Sequence, residues 1–405
     1  MSKWYPTTLK EEVTSGGGKI QTGPFGSQLH ASDYVDFGIP CIMPANMKNN
    51  RVDLSDIAFI SQKDADRLSQ HLVQEGDIVY SRRGDVTQKV LIKKNEAGYF
   101  CGTGCLLVRP GEKIDSEFLT YHLSTPSNQC WIVKQAVGAT MPNLNTAILS
   151  QVPLRVPDKA CQQKIAAVLS ALDAKIECNN RINAELEAMA KTLYDYWFVQ
   201  FNFPDHNGKP YKSSGGKMVY NSTLKREIPA GWYPVLVGEV LSKVPNSKKV
   251  PNKEILTKGR IPVIDQSRDY ICGFTDDDSA RLRVKSAHIV FGDHTRILKL
   301  INFDYARGAD GTQVLISKKE DIPTHLFFQM LRNIDLSSYG YARHFKFLKE
   351  SVIILPNKDI AIRYEIIAQG IYRKVRQGIL ENQQLEQLRD WLLPMLMNGQ
   401  VTVEK

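Results

Sequence analysis

Residues 154–193, LRVPDKACQQKIAAVLSALDAKIECNNRINAELEAMAKTL, and residues 353–392, IILPNKDIAIRYEIIAQGIYRKVRQGILENQQLEQLRDWL, are one pattern written twice, 199 positions apart and without a gap. Val168, Leu172, Ile176, Leu186, Met189 and Leu193 of the first fall on Ile367, Ile371, Val375, Leu385, Leu388 and Leu392 of the second. Apolar residues at every third or fourth place in a polar run predict an amphipathic helix. The first, from about Pro157 to Phe198, holds no glycine and no interior proline, and its roughly 40 residues reach about 60 Å at ~1.5 Å per residue. The second runs from about Lys358 to Met397; Gly370 and Gly378 lower its helix propensity but permit close approach of a neighbour, and Pro394 marks a fraying end. Helices about three times the average length do not hold an apolar stripe in water unaided. Each copy offers the other a matching stripe, so the pair is expected to form an antiparallel coiled coil, as follows from a pseudo-two-fold relation between copies. Such a coil works as a ruler.

The duplication extends beyond the helices. Trp4-Tyr5-Pro6 returns as Trp232-Tyr233-Pro234, and Glu11 as Glu239, at an offset of 228. GCLLVRP from Gly104 returns as GTQVLIS from Gly311, and Leu119, Tyr121 and Leu123 return as Leu326, Phe328 and Met330, at an offset of 207. Offsets shrinking from 228 through 207 to 199 mean that the second globular part has lost loop residues while keeping the order of its elements. Short apolar stretches between turns predict strands: GDIVYS at 76–81, VLI at 90–92 and CLLV at 105–108, then AHIVF at 287–291, ILKLI at 297–301 and QVLI at 313–316. The expected fold is α+β, with two strand-rich globular domains at residues 1–156 and 217–355. They alternate with long helices at 157–200 and 356–405, the latter with a C-terminal tail. Residues 201–216, with Pro204, Gly208, Pro210, Gly215 and Gly216, read as a linker.

A chain of 405 residues, 42% hydrophobic and 9% aromatic, has material for two or three cores and is not disordered in bulk. No charged start leads into an apolar segment and no long apolar run follows, so neither secretion nor membrane spanning is expected. The seven cysteines are odd in number and scattered, and Cys101 and Cys105 have no second pair at zinc spacing. Core thiols in a reducing compartment, the cytoplasm, are the expectation. The net charge of +9 is uneven: residues 1–156 hold 16 Lys or Arg against 15 acids, and residues 217–355 hold 22 against 15. That excess permits an anionic partner such as DNA.

Asn179, Asn180 and Asn183 crowd the middle of the first helix, and Asn382, Gln383 and Gln384 form a polar patch in the second. They either fix the register of a buried seam or lie in solvent. Each helix ends in an apolar cluster, Tyr196-Trp197-Phe198 in one and Trp391 with Met395-Leu396-Met397 in the other. Either the clusters cap the core or they receive other subunits, through Tyr196, Trp197, Phe198, Trp391, Met395 and Met397.

Three pairs of polar loops are candidates for contact with DNA. Ser81-Arg82-Arg83-Gly84-Asp85, ending in Lys89, has as its cognate Gly292-Asp293-His294-Thr295-Arg296, ending in Lys299. Arginine forks fit guanine O6 and N7, while hydroxyls and lysines hold phosphates. The alternative is a solvated turn in which Asp85 or Asp293 pairs with a neighbouring cation. Gly23-Pro24-Phe25-Gly26-Ser27-Gln28 exposes backbone donors and the Gln28 amide, and matches neither a P-loop nor a dinucleotide fingerprint. Its counterpart is the basic stretch from Lys243 to Lys258, with Asn246, Ser247, Lys248, Lys249 and Lys253, which suits salt-dependent affinity. The third pair precedes the helices, Gly138 to Asn145 and Tyr339 to Lys346. There Asn143, Asn145, Arg343 and His344 suit base edges and Lys346 suits phosphate, with ordinary loop chemistry the alternative for each. The copies differ most in these loops, so the two domains are expected to read different halves of an asymmetric, split DNA sequence.

Motifs for chemistry are missing. There is no Asp/Asn-Pro-Pro-Tyr/Phe, no GxxxxGK[ST], no glycine-rich cofactor loop after a strand, and no nucleophile or metal cluster beside Asp293 and His294. No catalytic, cofactor-binding or metal-binding residue is expected in this chain.

The arrangement resembles the specificity subunit, HsdS, of bacterial and archaeal type I restriction-modification enzymes over essentially the whole chain. The likeness rests on Trp-Tyr-Pro at 4–6 and 232–234, on GDIVYSRRG at 76–84, and on GATMPNLN at 138–145 followed by a proline-led helix carrying Gln163-Lys164-Ile165. The resemblance implies two target-recognition domains, each reading one half of a bipartite site on double-stranded DNA. It also implies long helices that set the spacer and bind two modification (HsdM) subunits, which carry S-adenosylmethionine and methylate adenine. With two restriction (HsdR) subunits, ATP and Mg, such a complex translocates and cuts DNA far from its site. The second copy departs from the first at Ala287-His288, which replaces Gly76-Asp77, and at Arg363-Tyr364-Glu365, which stands in place of the Gln-Lys-Ile opening. Two other readings fit parts of the pattern: a DNA-binding regulator whose coil only pairs with itself, and a non-catalytic scaffold with two interaction domains.

Overall fold

The computed structural model describes residues 4–48, 50–138, 142–244, 248–309, 311–319, 321–340 and 343–403. Ala139, Thr140, Met141, Asn246, Ser247, Tyr341 and Ala342 of the candidate loops lie outside the described residues. The chain divides into two compact units, Met1–Glu177 with Asn382–Lys405, and Cys178–Glu381. Each long helix therefore contributes a part to both units.

In the first unit, strand Tyr5–Thr8 pairs antiparallel with Pro153–Val156 and so ties the start of the domain to its end. Thr8 then caps the helix Leu9–Ser15. Its hydroxyl accepts from Glu11 N at 3.3 Å while its own N donates to the Glu11 carboxylate at 2.9 Å, satisfying two backbone donors. The main sheet is antiparallel, in the order Gly17–Thr22, Cys105–Gly111, Ile78–Ser81, Lys89–Leu91. The period of two puts Ile78, Tyr80, Leu106 and Val108 on one face, packed with Phe118 and Leu119 of the helix Ser116–Leu123. Val79, Val90 and Leu107 face the other way, onto Ile42 and Cys101 of a second sheet. That sheet runs Phe100–Cys101, Ile39–Ile42, Ala58–Ile60, Tyr34–Val35. Cys41, Cys101 and Cys105 are buried free thiols, and burial pushes Cys41 up to about 12, which keeps it protonated.

The second unit repeats this frame. Tyr233–Leu236 pairs with Val352–Leu355, and the main sheet runs Leu241–Lys243, Thr312–Ser317, His288–Gly292, Leu298–Ile301. The second sheet runs Lys249–Val250, Tyr305–Gly308, Ile261–Ile264, Gly273–Thr275. Ser81 lies opposite Cys105 and Gly292 opposite Thr312, which fixes how the copies correspond. One cap is lost: Leu236, in the place of Thr8, has no side-chain oxygen, and the helix it opens is only Val237–Val240. Residues 201–216 are docked rather than a loose tether. The Phe203 ring stacks on Trp232 at 5.0 Å and on Tyr211 at 4.6 Å.

The long helices are Lys159–Tyr194 and Lys358–Met397. Within the first unit, Arg389 Nη1 donates to Asp173 Oδ1 at 2.8 Å and Asn382 Nδ2 to Ile176 O at 3.5 Å. Within the second, Asn179 Nδ2 donates to Glu381 at 2.8 Å and the Tyr364 hydroxyl to Ala190 O at 3.0 Å. In each unit the numbering rises on one helix as it falls on the other, so the pairing is antiparallel. Asn179 and Asn382 are buried and bonded across the seam, in keeping with a register role, whereas Asn180 and Gln384 lie in solvent. A Cβ on Gly378 would come within 2.6 Å of Asn183 Oδ1, so this glycine permits the close approach; Gly370 meets nothing within 4 Å. Pro394 sits inside the second helix rather than at a frayed end. The helix continues because Leu393, Leu396 and Met397 are held in the first unit's core with Ile165 and Leu169.

Candidate nucleic-acid interface

In the first unit the three candidate loops meet at one place. Arg82 N donates to Gly104 O at 2.8 Å, and Leu144 N donates to Arg82 O at 2.8 Å. Arg83 forms a bridge with Asn143, which also pairs with Val137. The Arg82 guanidinium lies 5.8 Å over the ring of Phe25, which is 53% exposed. Arg82 Nε and Asn143 Oδ1 are enclosed and have no partner among the described residues. Arg83 and Ser27 are exposed beside them. Gln28 and Asn145 are committed to structure: Gln28 Oε1 accepts from Phe25 N at 3.0 Å, and Asn145 Oδ1 caps the helix Thr146–Ser150 through Ile148 N at 2.8 Å. Asp85 accepts from Thr87 N and Thr87 Oγ1, at 3.0 and 2.6 Å, rather than from a cation.

The second unit holds its loops by the same two backbone bonds. Asp293 N donates to Gly311 O at 2.7 Å and His344 N to Asp293 O at 2.9 Å, so Asp293 replaces Arg82. The Asp293 carboxylate adds an acceptor for Phe345 N at 2.8 Å. Gln266, which the sequence reading passed over, pins the loop: its Oε1 accepts from His294 N at 3.1 Å and its carbonyl from Thr295 Oγ1 at 2.7 Å. A polar residue after the strand IPVI was the only signal for it. His294, Thr295, Arg296, Arg343, Lys346 and Lys249 are exposed. Arg296 Nη1 donates to Leu336 O at 3.2 Å, Lys346 lies 4.0 Å from Glu350, and Lys248 pairs with Asp277 at 2.6 Å.

Several candidates are corrected by burial. Lys89 is 3% exposed and donates to Ser124 Oγ at 2.7 Å, so it does not present a cation to phosphate; burial pushes it down to about 7. It is not the counterpart of Lys299 either, since Lys89 lies opposite Tyr80 and Lys299 opposite Val290, on the other face of the sheet. His344 is buried between Asp293 O and Tyr339 O, which removes it from any base edge. Trp197 and Phe198 lie in the second unit's core with Tyr364 and Trp232, and Met397 lies in the first unit's core. They cap rather than anchor partners. Tyr196 and Trp391 are exposed and Met395 is half-buried. Among the described residues no group of three or more His, Cys, Asp or Glu could hold a metal ion, and no helix is long and apolar enough to cross a membrane.

A two-sheet frame is built twice, and in each copy the loop after the repeated strand is bonded to the loop that precedes the long helix. Residues 7–188 match the type I restriction modification DNA specificity domain. The chain is 26% identical over 399 residues to the type I restriction enzyme MjaIX specificity subunit of Methanocaldococcus jannaschii, covering 92% of this chain and 89% of that one. It is 22% identical over 433 residues to the HindI specificity subunit of Haemophilus influenzae, covering 89% and 94%. The crystal structure of the type I restriction-modification S subunit from M. genitalium shares the fold, with a TM-score of 0.56 at 16% identity over 98% of this chain and 96% of that one. Over most of its length the chain is thus similar to type I restriction-modification specificity subunits, and this likeness supports a sequence-specificity role. Specificity subunits of that kind are in general non-catalytic.

Proposed function

We propose that this chain supplies the address of a type I restriction-modification assembly, and that residues 1–156 and 217–355 are target-recognition domains reading the two halves of a bipartite, asymmetric DNA site. The observation that supports this reading most directly is the shared loop frame: Arg82 and Asp293 make the same two backbone bonds, yet the side chains around them differ completely. Equal frames with unequal chemistry suit two different half-sites. Ser27, Arg82, Arg83 and Asn143 form the first contact set. Lys248, Lys249, His294, Thr295, Arg296, Arg343 and Lys346 form the second. The helical segments at 157–200 and 356–405 set the spacer and assemble two modification subunits, with Tyr196, Trp391 and Met395 as accessible anchors. S-adenosylmethionine for adenine methylation belongs to those partners. ATP and Mg belong to restriction subunits where these join, and the assembly acts in the cytoplasm.

Single-molecule methylation sequencing of cells expressing this chain with its modification partner tests the reading. A new split motif, methylated at adenine only when both proteins are present, is expected. An assembled complex that leaves DNA unmodified at any split motif overturns it.

A further inference from the structure

We infer that Arg307 is a base-reading residue of the second domain, its guanidinium fork taking O6 and N7 of a guanine in one half-site; this rests on the DNA-reading role proposed above. Arg307 lies in the strand Tyr305–Gly308, between Lys249 and Ile264 in register. Tyr305 packs in the core between the two sheets and Ala306 in the core behind them, so alternation places Arg307 on the inter-sheet face. The first unit has Cys101 at this position: Cys101 lies opposite Ile42 as Arg307 lies opposite Ile264. Gly102 and Gly308 follow, and a Cβ on either would first meet the residue after that isoleucine, Met43 at 2.4 Å and Asp265 at 2.7 Å.

A thiol in an apolar core is thus replaced by a guanidinium that is 9% exposed. Its Nε is enclosed without a partner among the described residues, whereas its terminal nitrogens are not among the enclosed, unpartnered atoms. A guanidinium has five donors and no acceptor, so an enclosed donor left unpaired costs free energy in the DNA-free chain that an incoming acceptor would recover. Lys248 pairs with Asp277, Arg260 with Asp276 and Asp278, and Arg281 with Asp278, while Lys249, opposite Arg307, is exposed. The position also adjoins the loop cluster. Gln266 follows Ile264 by two residues, and a Cβ on Gly311 would meet Gln266 and His294 within 2.8 Å.

Phosphates are alike in both half-sites, so a phosphate contact at this position would be expected in both copies. Arg307 occurs in one copy only, which points to an acceptor specific to one half, and the guanine major-groove edge matches the fork. The test uses the full chain with its modification partner and the variants Arg307→Met and Arg307→Lys. The methylated motif should become degenerate at one guanine of one half and stay unchanged in the other half. Binding to the native site should fall roughly ten- to a hundredfold for Arg307→Met. Arg307→Lys, which keeps charge without the fork, should loosen the same base. The unfolding midpoint of the DNA-free chain should hold or rise for Arg307→Met, since an unpaired buried charge is removed. An unchanged motif, an equal loss across all sequences with a shallower salt dependence, or a lowered midpoint without DNA would each overturn the inference. A native complex with no split motif would instead overturn the DNA-reading role itself.

Discussion

The inter-sheet cores of the two units differ at three matched positions: Val90, Cys101 and Cys105 in the first, Lys299, Arg307 and Thr312 in the second. The first is an apolar core. The second tolerates Lys299 because its Nζ donates to Asp265 O at 2.9 Å and to Asp269 O, and lies 3.8 Å from the Asp265 carboxylate. Met43 stands in the place of Asp265 in the first unit and lacks the carboxylate. The frame common to both is made of strand pairing and of the main-chain bonds at Arg82 and Asp293. A scaffold written in the backbone leaves its side chains free to diverge, so recognition can change while the fold does not.

Exchanging residues between the copies tests that contrast. Val90→Lys would bury a cation with no matching carboxylate and should destabilise the first unit by about 3–5 kcal/mol. Hydrogen exchange over residues 78–108 reads this, with residues 288–316 as the internal control. Asp293→Ala removes the carboxylate that accepts from the buried Phe345 N and should destabilise the second unit by about 1–3 kcal/mol, whereas Arg82→Ala, whose frame bonds come from the backbone, should cost less than about 1 kcal/mol. A large stability loss from Arg82→Ala would show that its side chain is part of the frame.

Lys89 gives a pH-dependent contrast. Burial lowers its folded value to about 7 from 10.5, so between these values the unfolded chain binds more protons and stability rises with pH. Lys89→Met should therefore stabilise by about 1–3 kcal/mol near pH 7, with the gain shrinking as pH approaches 10.5. Denaturant midpoints at pH 7 and 9 that show an equal gain would refute this. The smallest effect is expected at Tyr80, which occupies the place of Phe291 and whose buried hydroxyl has no partner among the described residues. Tyr80→Phe should be neutral or stabilising by up to about 1 kcal/mol, as read by thermal unfolding.

The helices and the order of strands were legible because apolar periodicity survives duplication, as the match of Val168 through Leu193 with Ile367 through Leu392 shows. Strand register was not. Lys89 and Lys299 look like equivalents along the chain, and only the pairing with Tyr80 and Val290 reveals that they face opposite ways. The candidate loops were legible as polar turns, but their convergence depends on bonds such as Leu144 N to Arg82 O, between residues far apart in sequence. Which polar or aromatic residues are lost to the interior was also invisible. His344 is taken up by Asp293, and Trp197 and Phe198 are enclosed by a chain that returns through Phe201, Phe203 and Trp232.

The first unit is assembled from Met1–Glu177 and Asn382–Lys405, and the whole second unit is translated between them. At about 5–20 residues per second the ribosome needs roughly 10 to 40 s to cross that interval. Throughout it, Ile165 and Leu169 await Leu393, Leu396 and Met397, and their apolar stripe is open to chaperones and proteases. A nonsense or frameshift lesion in the last helical turns, remote in sequence from the first domain, leaves that domain unsealed. Only a message translated past Met397 yields a first unit with its core complete.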